Sequence, residues 1–124
     1  MKVLVVGSGG QLGWELMRKL HDKAWTPVGC DQPDFDITDK DQVFSVVHRE
    51  KPDWVVNASA YTLVDQAESD RETAYKVNKD GPAFLAKACS ALGIPLIHLS
   101  TDYVFDGTKG PPYMETDPIA PLGV

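Results

Sequence analysis

The segment Gly7-Ser8-Gly9-Gly10-Gln11-Leu12-Gly13 stands directly between an apolar run, Lys2 to Val6, and a stretch of helical period, and few folds admit that arrangement. Glycines at the GxxGxxG spacing let a turn close tightly, let a pyrophosphate approach the backbone, and let the next helix sit close to the sheet. Lys2 to Val6 is rich in valine and leucine without alternation, the pattern of a strand covered on both faces. Leu12, Leu16 and Leu20 then repeat at fourfold spacing, one stripe of a helix running from Gln11 to about His21 and packing on that strand. A glycine motif by itself says little; strand, glycine turn and helix in this order predict the first unit of a dinucleotide-binding βαβ fold.

The remaining chain continues the alternation. Thr26 to Cys30 predicts a second strand and Asp34 to Ile37 a short third one, after which Thr38 is placed to cap a helix with Asp39 and Asp41 in its first turn. Val43, Val46 and Val47 give that helix a buried side, and Pro52 leads into a fourth strand, Trp54 to Asn57. Tyr61 to Leu92 reads as one long helix bent at Gly81-Pro82, with Gly93 suited to the left-handed position after it and Ile94 to Leu99 as the fifth strand. From Thr101 onward the chain is a long loop rich in glycine and proline. Right-handed crossovers put the first three strands on one side of the sheet and the last two on the other, leaving a crevice at their carboxyl ends. The expected fold class is α/β, a Rossmann-type parallel sheet with helices on both faces, forming one domain over residues 1–124.

Composition excludes several classes of partner. With 12 Lys and Arg against 18 Asp and Glu, the net charge of −6 disfavours nucleic acid, which needs a basic surface. No apolar run nears the roughly 20 residues of a membrane span, and Met1 to Gly7 lacks the basic start of a signal peptide, so the expected location is cytoplasmic, away from membranes. Cys30 and Cys89 read as buried free thiols, and His21, His48 and His98 are too scattered for a metal site.

Read from the residues, Gly7, Gly10 and Gly13 surround a pyrophosphate. Asp31, ending the second strand, accepts hydrogen bonds from the adenosine ribose, a carboxylate that favours NAD over NADP. Asp36 and Ile37 lie near the adenine. Asn57-Ala58-Ser59-Ala60 has side chains small enough for a cofactor to approach, and serves equally well as a close-packed strand end.

These motifs, with Val64-Asp65-Gln66-Ala67-Glu68, Val77-Asn78 and above all Ser100-Thr101-Asp102-Tyr103-Val104-Phe105-Asp106-Gly107, resemble the extended short-chain dehydrogenases, and among them the dTDP-4-dehydrorhamnose reductases. The resemblance implies reduction of the 4-keto group of a nucleotide-linked deoxysugar with NADPH or NADH. It places Gly10, Gln11 and Leu12 over the pyrophosphate and Ala58, Ser59 and Ala60 beside the ribose. Thr62 and Val64 become neighbours of the substrate, Thr101 the hydroxyl that holds the carbonyl oxygen, and Tyr103 and Phe105, with Asp102, part of the loop over sugar and nicotinamide. Glu15 matches a carboxylate that helps hold magnesium at a dimer contact in some members, although an exposed helical glutamate is the plainer reading.

The family's Tyr-x-x-x-Lys pair, in which lysine lowers the tyrosine pKa for proton donation, follows a Pro-Leu-Asn-Val stretch. Pro121-Leu122-Gly123-Val124 resembles that stretch, with glycine for asparagine, and ends the chain. Tyr75 and Lys79 have the right spacing but precede Thr101, where the pair should follow it. The expectation is therefore the front part of a longer reductase, lacking the C-terminal sugar-binding lobe and inactive alone, and a homo-oligomer through its apolar last strand. Two alternatives stand beside it: a regulatory subunit resembling the beta subunit of methionine adenosyltransferase, with a similar Tyr-Val-Phe-Asp-Gly-Thr segment, and a nucleotide-sugar epimerase or dehydratase.

Overall fold

The computed structural model describes residues 1–124. Strand β1 (Lys2–Val6) lies inside a parallel sheet of order β2-β1-β3-β4, flanked by β2 (Thr26–Cys30) and β3 (Trp54–Asn57), with β4 (Leu96–His98) at the far edge. Alternate side chains of β1 define the two faces. Val3 and Val5, with Val56, meet Leu16, Met17 and Leu20 of helix α1 (Gln11–Asp22). Leu4 and Val6, with Val55, face the larger core of Val43 and Val47 from α2 (Lys40–Glu50) and Leu85, Ala88 and Cys89 from α5 (Gly81–Leu92). Burying each such valine or leucine contributes about 1.5–3 kcal/mol, which is why the unbroken apolar run predicts a strand covered on both sides. Cys30 and Cys89 are buried free thiols, as expected.

The α1 stripe differs at its start. Leu12 is 46% exposed, and the buried side is Gly13, Leu16, Met17 and Leu20. Position 12 lies in the first turn of α1 and takes no part in the core that Leu16, Met17 and Leu20 join.

Asp34 to Ile37 forms no strand. Its backbone is satisfied locally: Phe35 N donates to Asp31 O at 3.0 Å, Asp36 N to Gln42 Oε1 at 3.2 Å, and Asp39 N to Asp36 O at 3.1 Å. With its amides spent on turns, the segment drops Phe35 and Ile37 into the core without pairing to β2. The helix cap also shifts by one residue. Asp39, not Thr38, is the N-cap, its Oδ1 accepting from Asp41 N and Gln42 N, while Thr38 donates its amide and hydroxyl to Asp36 Oδ1. Both hydrogen bonds to Gln42, and the Asp41 amide, hold the Asp39 carboxyl below its usual pKa.

The long helix begins at Arg71, not Tyr61. A separate short helix α3 (Val64–Ala67) precedes α4 (Arg71–Tyr75), which runs through a π-helical turn, Lys76–Asp80, directly into α5. Pro82 in the first turn of α5 has no amide to give the ladder, and the widened turn sits where that bond is missing. Gly93 ends α5 with φ +67°, as its position predicts.

Candidate functional site

Parallel strands bring the loops after β1, β2, β3 and β4 to one rim of the sheet. The glycine turn after β1 is held against β2, with Gly7 N and Ser8 N donating to Cys30 O at 2.9 and 3.3 Å. Gly7 has φ +79°, and a Cβ there would lie 2.6 Å from Ser59 N. At Gly13 a Cβ would overlap the Gly7 carbonyl. Strand, turn and helix are therefore closer than any side chain at these two positions allows.

Gly10 N donates back to Gly7 O at 3.2 Å, and Trp14 N to Gly10 O at 2.8 Å opens the helix. The amides of Gln11, Leu12 and Gly13 donate to no backbone carbonyl, as expected in the first turn of a helix. Donors without a backbone acceptor at the positive end of a 12-residue helix suit an anionic group such as a pyrophosphate.

Beside this turn opens a cleft of about 360 Å³, which gathers Gly7, Asp31, Asp36, Ile37, Ser59 and Ala60 from the sequence-predicted set. It adds Gln32, Phe35, Tyr61, Thr73 and Val77, which sequence reasoning did not assign. Phe35 carried a signal, a lone aromatic within a polar stretch; Thr73 carried none. Asp36 Oδ1 is engaged by Thr38, so this residue contributes cleft wall more than a free carboxylate.

The β3 side of the cleft is held by two asparagines. Asn57 is fully buried; its Oδ1 accepts from Ser59 N at 3.1 Å and Ser59 Oγ at 2.6 Å, and its Nδ2 meets His98 Nδ1 at 3.1 Å. Because the oxygen is committed to Ser59, the amide faces His98 as a donor, which makes Nδ1 the acceptor. Asn78, in the π turn, clamps the Tyr61 backbone from both sides, Oδ1 accepting from Tyr61 N at 2.8 Å and Nδ2 donating to Tyr61 O at 3.1 Å. Partial burial, and after it the Asp70 carboxylate 3.4 Å away, pushes the Tyr61 phenol above its usual pKa. Asn57→Ala is expected to cost about 2–3 kcal/mol, since it strands the Ser59 amide as well as leaving a void. Urea denaturation measures this, and a loss under about 0.5 kcal/mol would remove Asn57 as the support of this wall.

The other sequence-predicted residues lie outside the cleft lining. Thr62 and Val64 are exposed before and at the start of α3. Thr101 leaves the carboxyl end of β4 and caps a 3₁₀ turn, Asp102–Val104, its Oγ1 accepting from Tyr103 N at 3.2 Å. Tyr103 is 62% exposed. Phe105 stacks on Tyr113, centroids 4.3 Å apart. Asp106 braces that pair, accepting from Tyr113 OH at 2.7 Å and from the Thr108 amide and hydroxyl, and these bonds hold its carboxyl below the usual range. Glu15 is paired with Arg18 at 2.7 Å. Lys79 sits over the Tyr75 ring, 5.8 Å from its centroid.

A parallel sheet whose first strand-to-helix turn is a tight glycine turn, with a cleft at the carboxyl ends of its strands, defines a Rossmann-type domain. The chain belongs to the RmlD substrate binding domain family, whose model matches residues 1–124. It is 46% identical over 124 residues to the dTDP-4-dehydrorhamnose reductase of Aggregatibacter actinomycetemcomitans, covering 99% of this chain and 42% of that protein. To the enzyme of the same name from Burkholderia thailandensis it is 47% identical over 123 residues, covering 98% of this chain and 41% of the relative. It thus spans about two-fifths of the length of these curated relatives.

A dTDP-4-dehydrorhamnose reductase structure from Bacillus anthracis, in complex with NADP, superposes with TM-score 0.94 at 37% identity, over 98% of this chain and 44% of that one. The NAD complex of Thermus thermophilus UDP-glucose 4-epimerase superposes with TM-score 0.86 at 23% identity, covering 99% of this chain and 45% of the other, a likeness of fold alone.

Proposed function

We propose that this chain is the nicotinamide-cofactor-binding part of an NAD(P)H-dependent dTDP-4-dehydrorhamnose reductase, serving nucleotide-sugar biosynthesis in the cytoplasm. The observation that carries the reading is the glycine turn: the Gln11, Leu12 and Gly13 amides at the start of α1 donate to no backbone carbonyl, and Gly7 of the same turn lines a cleft at the carboxyl ends of the strands. The curated relatives at 46% and 47% identity, both named dTDP-4-dehydrorhamnose reductase, favour it over the regulatory-subunit and epimerase alternatives.

In this reading Gly7, Gly10 and Gly13 receive the pyrophosphate, Asp31 the adenosine ribose, Asp36 and Ile37 the adenine flank, and Ala58, Ser59 and Ala60 the other wall. A bound nicotinamide dinucleotide supplies the hydride for the sugar carbonyl. Thr101 donates its hydroxyl to the carbonyl oxygen, stabilising the negative charge that builds there, and Thr62, Val64, Tyr103 and Phe105 shape the sugar's surroundings. Glu15 serves the Arg18 ion pair in place of a metal. The single Tyr-x-x-x-Lys spacing, Tyr75 to Lys79, lies on the helix and not in the loop after Thr101, so residues 1–124 alone bind cofactor without reducing a keto-sugar. Exposed Ile97 and Leu99 at the β4 edge favour a homo-oligomer, which the mass in solution measures.

Titration of NADH and NADPH followed by nicotinamide fluorescence tests the site. Gly10→Glu is the informative variant: the nearest atom to a Cβ there is Gly7 O at 3.4 Å, so the fold tolerates a side chain while the carboxylate opposes a pyrophosphate. Affinity is expected to fall about 100-fold. Unchanged binding by this variant would move the cofactor elsewhere.

A further inference from the structure

We propose that Gly9 is a positioning residue that locks Asp31 in place and thereby makes this cleft select NADH over NADPH, an inference that rests on the cofactor-binding function proposed above. Gly9 is not one of the glycines of the GxxGxxG spacing, so the motif gives no reason for its residue type. The structure supplies one. Asp31 Oδ2 accepts a hydrogen bond from Gly9 N at 2.5 Å, and Asp31 Oδ1 accepts from Gln32 N at 2.8 Å. A Cβ on residue 9 would come within 2.8 Å of that same Oδ2. Any side chain at this position therefore pushes the carboxylate away from the amide that holds it.

The latch matters because of what else faces the cleft. Among its lining residues the charged ones are Asp31 and Asp36; no Lys, Arg or His is present. NADH and NADPH differ by one phosphate on the adenosine ribose. A ribose 2′-hydroxyl can donate to a carboxylate oxygen that still has a free lone pair, whereas a 2′-phosphate meets two carboxylates without a cation. An unrestrained aspartate could rotate away and relieve the repulsion. Here rotation would break bonds to two backbone amides. The adjoining groove contains Arg49, but its Nε is paired with Glu50 Oε1 at 2.8 Å, and Asp34 and Asp41 line the same groove.

The test is calorimetric titration of the 124-residue chain and two variants with NADH and with NADPH, joined to hydrogen exchange at the Gly9 amide. The parent is expected to bind NADH about tenfold or more tighter than NADPH. Asp31→Asn keeps a carbonyl acceptor for Gly9 N without the charge, and should bring the two affinities together by strengthening NADPH. Gly9→Ala keeps the charge but releases it, and should narrow the ratio in the same direction. The Gly9 amide should exchange slowly in the parent and quickly in Asp31→Ala, a reading of the latch that needs no ligand. NADPH binding as tightly as NADH to the parent overturns this inference and leaves the proposed function standing. Binding of neither cofactor overturns both. An unprotected Gly9 amide, or a ratio untouched by Gly9→Ala, removes Gly9 from the discrimination.

Discussion

Gly7→Ala is expected to destabilise the domain by roughly 3 kcal/mol and to abolish cofactor binding. Two penalties coincide at this residue. Its φ of +79° disfavours any side chain, and the added carbon would lie 2.6 Å from Ser59 N and 2.7 Å from Ser59 Cα, so the β1 turn and the β3 loop must separate. Neither neighbour yields easily. The turn is anchored by the Gly7 and Ser8 amides on Cys30 O, and Ser59 is held by buried Asn57. The strain therefore spreads into both walls of the cleft. Gly10→Ala is the control, because its Cβ would meet nothing nearer than 3.4 Å. Urea midpoints and NADH titration of both variants decide it: comparable stability for Gly7→Ala and Gly10→Ala would show that the close approach at residue 7 carries no energy.

Thr101→Val is expected to lower keto-sugar turnover about 100-fold while leaving cofactor affinity within about twofold, the loss typical of one donor to a developing oxyanion. The hydroxyl is exposed at the start of the 3₁₀ turn, and its Oγ1 lies 3.4 Å from Asp102 Oδ1, a weak bond that leaves the proton available. Valine preserves the branched shape and removes the donor. It also forfeits the cap on Tyr103 N, so Thr101→Ser, which keeps both, separates the two effects. The assay uses a chimera in which this chain replaces the matching segment of the Aggregatibacter actinomycetemcomitans relative. Turnover by Thr101→Val equal to the parent chimera's would take Thr101 out of the reaction.

Strands β1 and β3, the first helix and the glycine turn were legible because each is dictated by local chemistry: unbroken valine runs, a helical stripe, and glycines where a Cβ has no room. Asp34 to Ile37 misled because alternating apolar residues describe burial equally well in a strand and in a turn. What decided it was the availability of Asp31 O and Gln42 Oε1 as acceptors for its Phe35 and Asp36 amides, and of Asp39 N as a donor to Asp36 O. The start of the long helix was displaced for a related reason. Tyr61 is apolar enough to extend the helical pattern, yet its backbone is taken by Asn78, 17 residues further on.

The order of the strands, the crevice at their carboxyl ends and the glycine cradle within it follow from this sequence alone, since pattern, handedness and the size of a side chain act over a few residues. Sequence alone also singles out Asp31 as a carboxylate at the end of a strand. It was the tertiary structure that turned Asp31 toward Gly9, buried Asn57 between Ser59 and His98, and set Asn78 against the Tyr61 backbone. Those pairings join groups 22, 41 and 17 residues apart, and a hydrogen bond between such distant partners exists only after the sheet and helices have packed. Periodicity reports which face of an element is apolar, whereas the direction and partner of a buried polar group depend on which donors and acceptors the finished core leaves beside it.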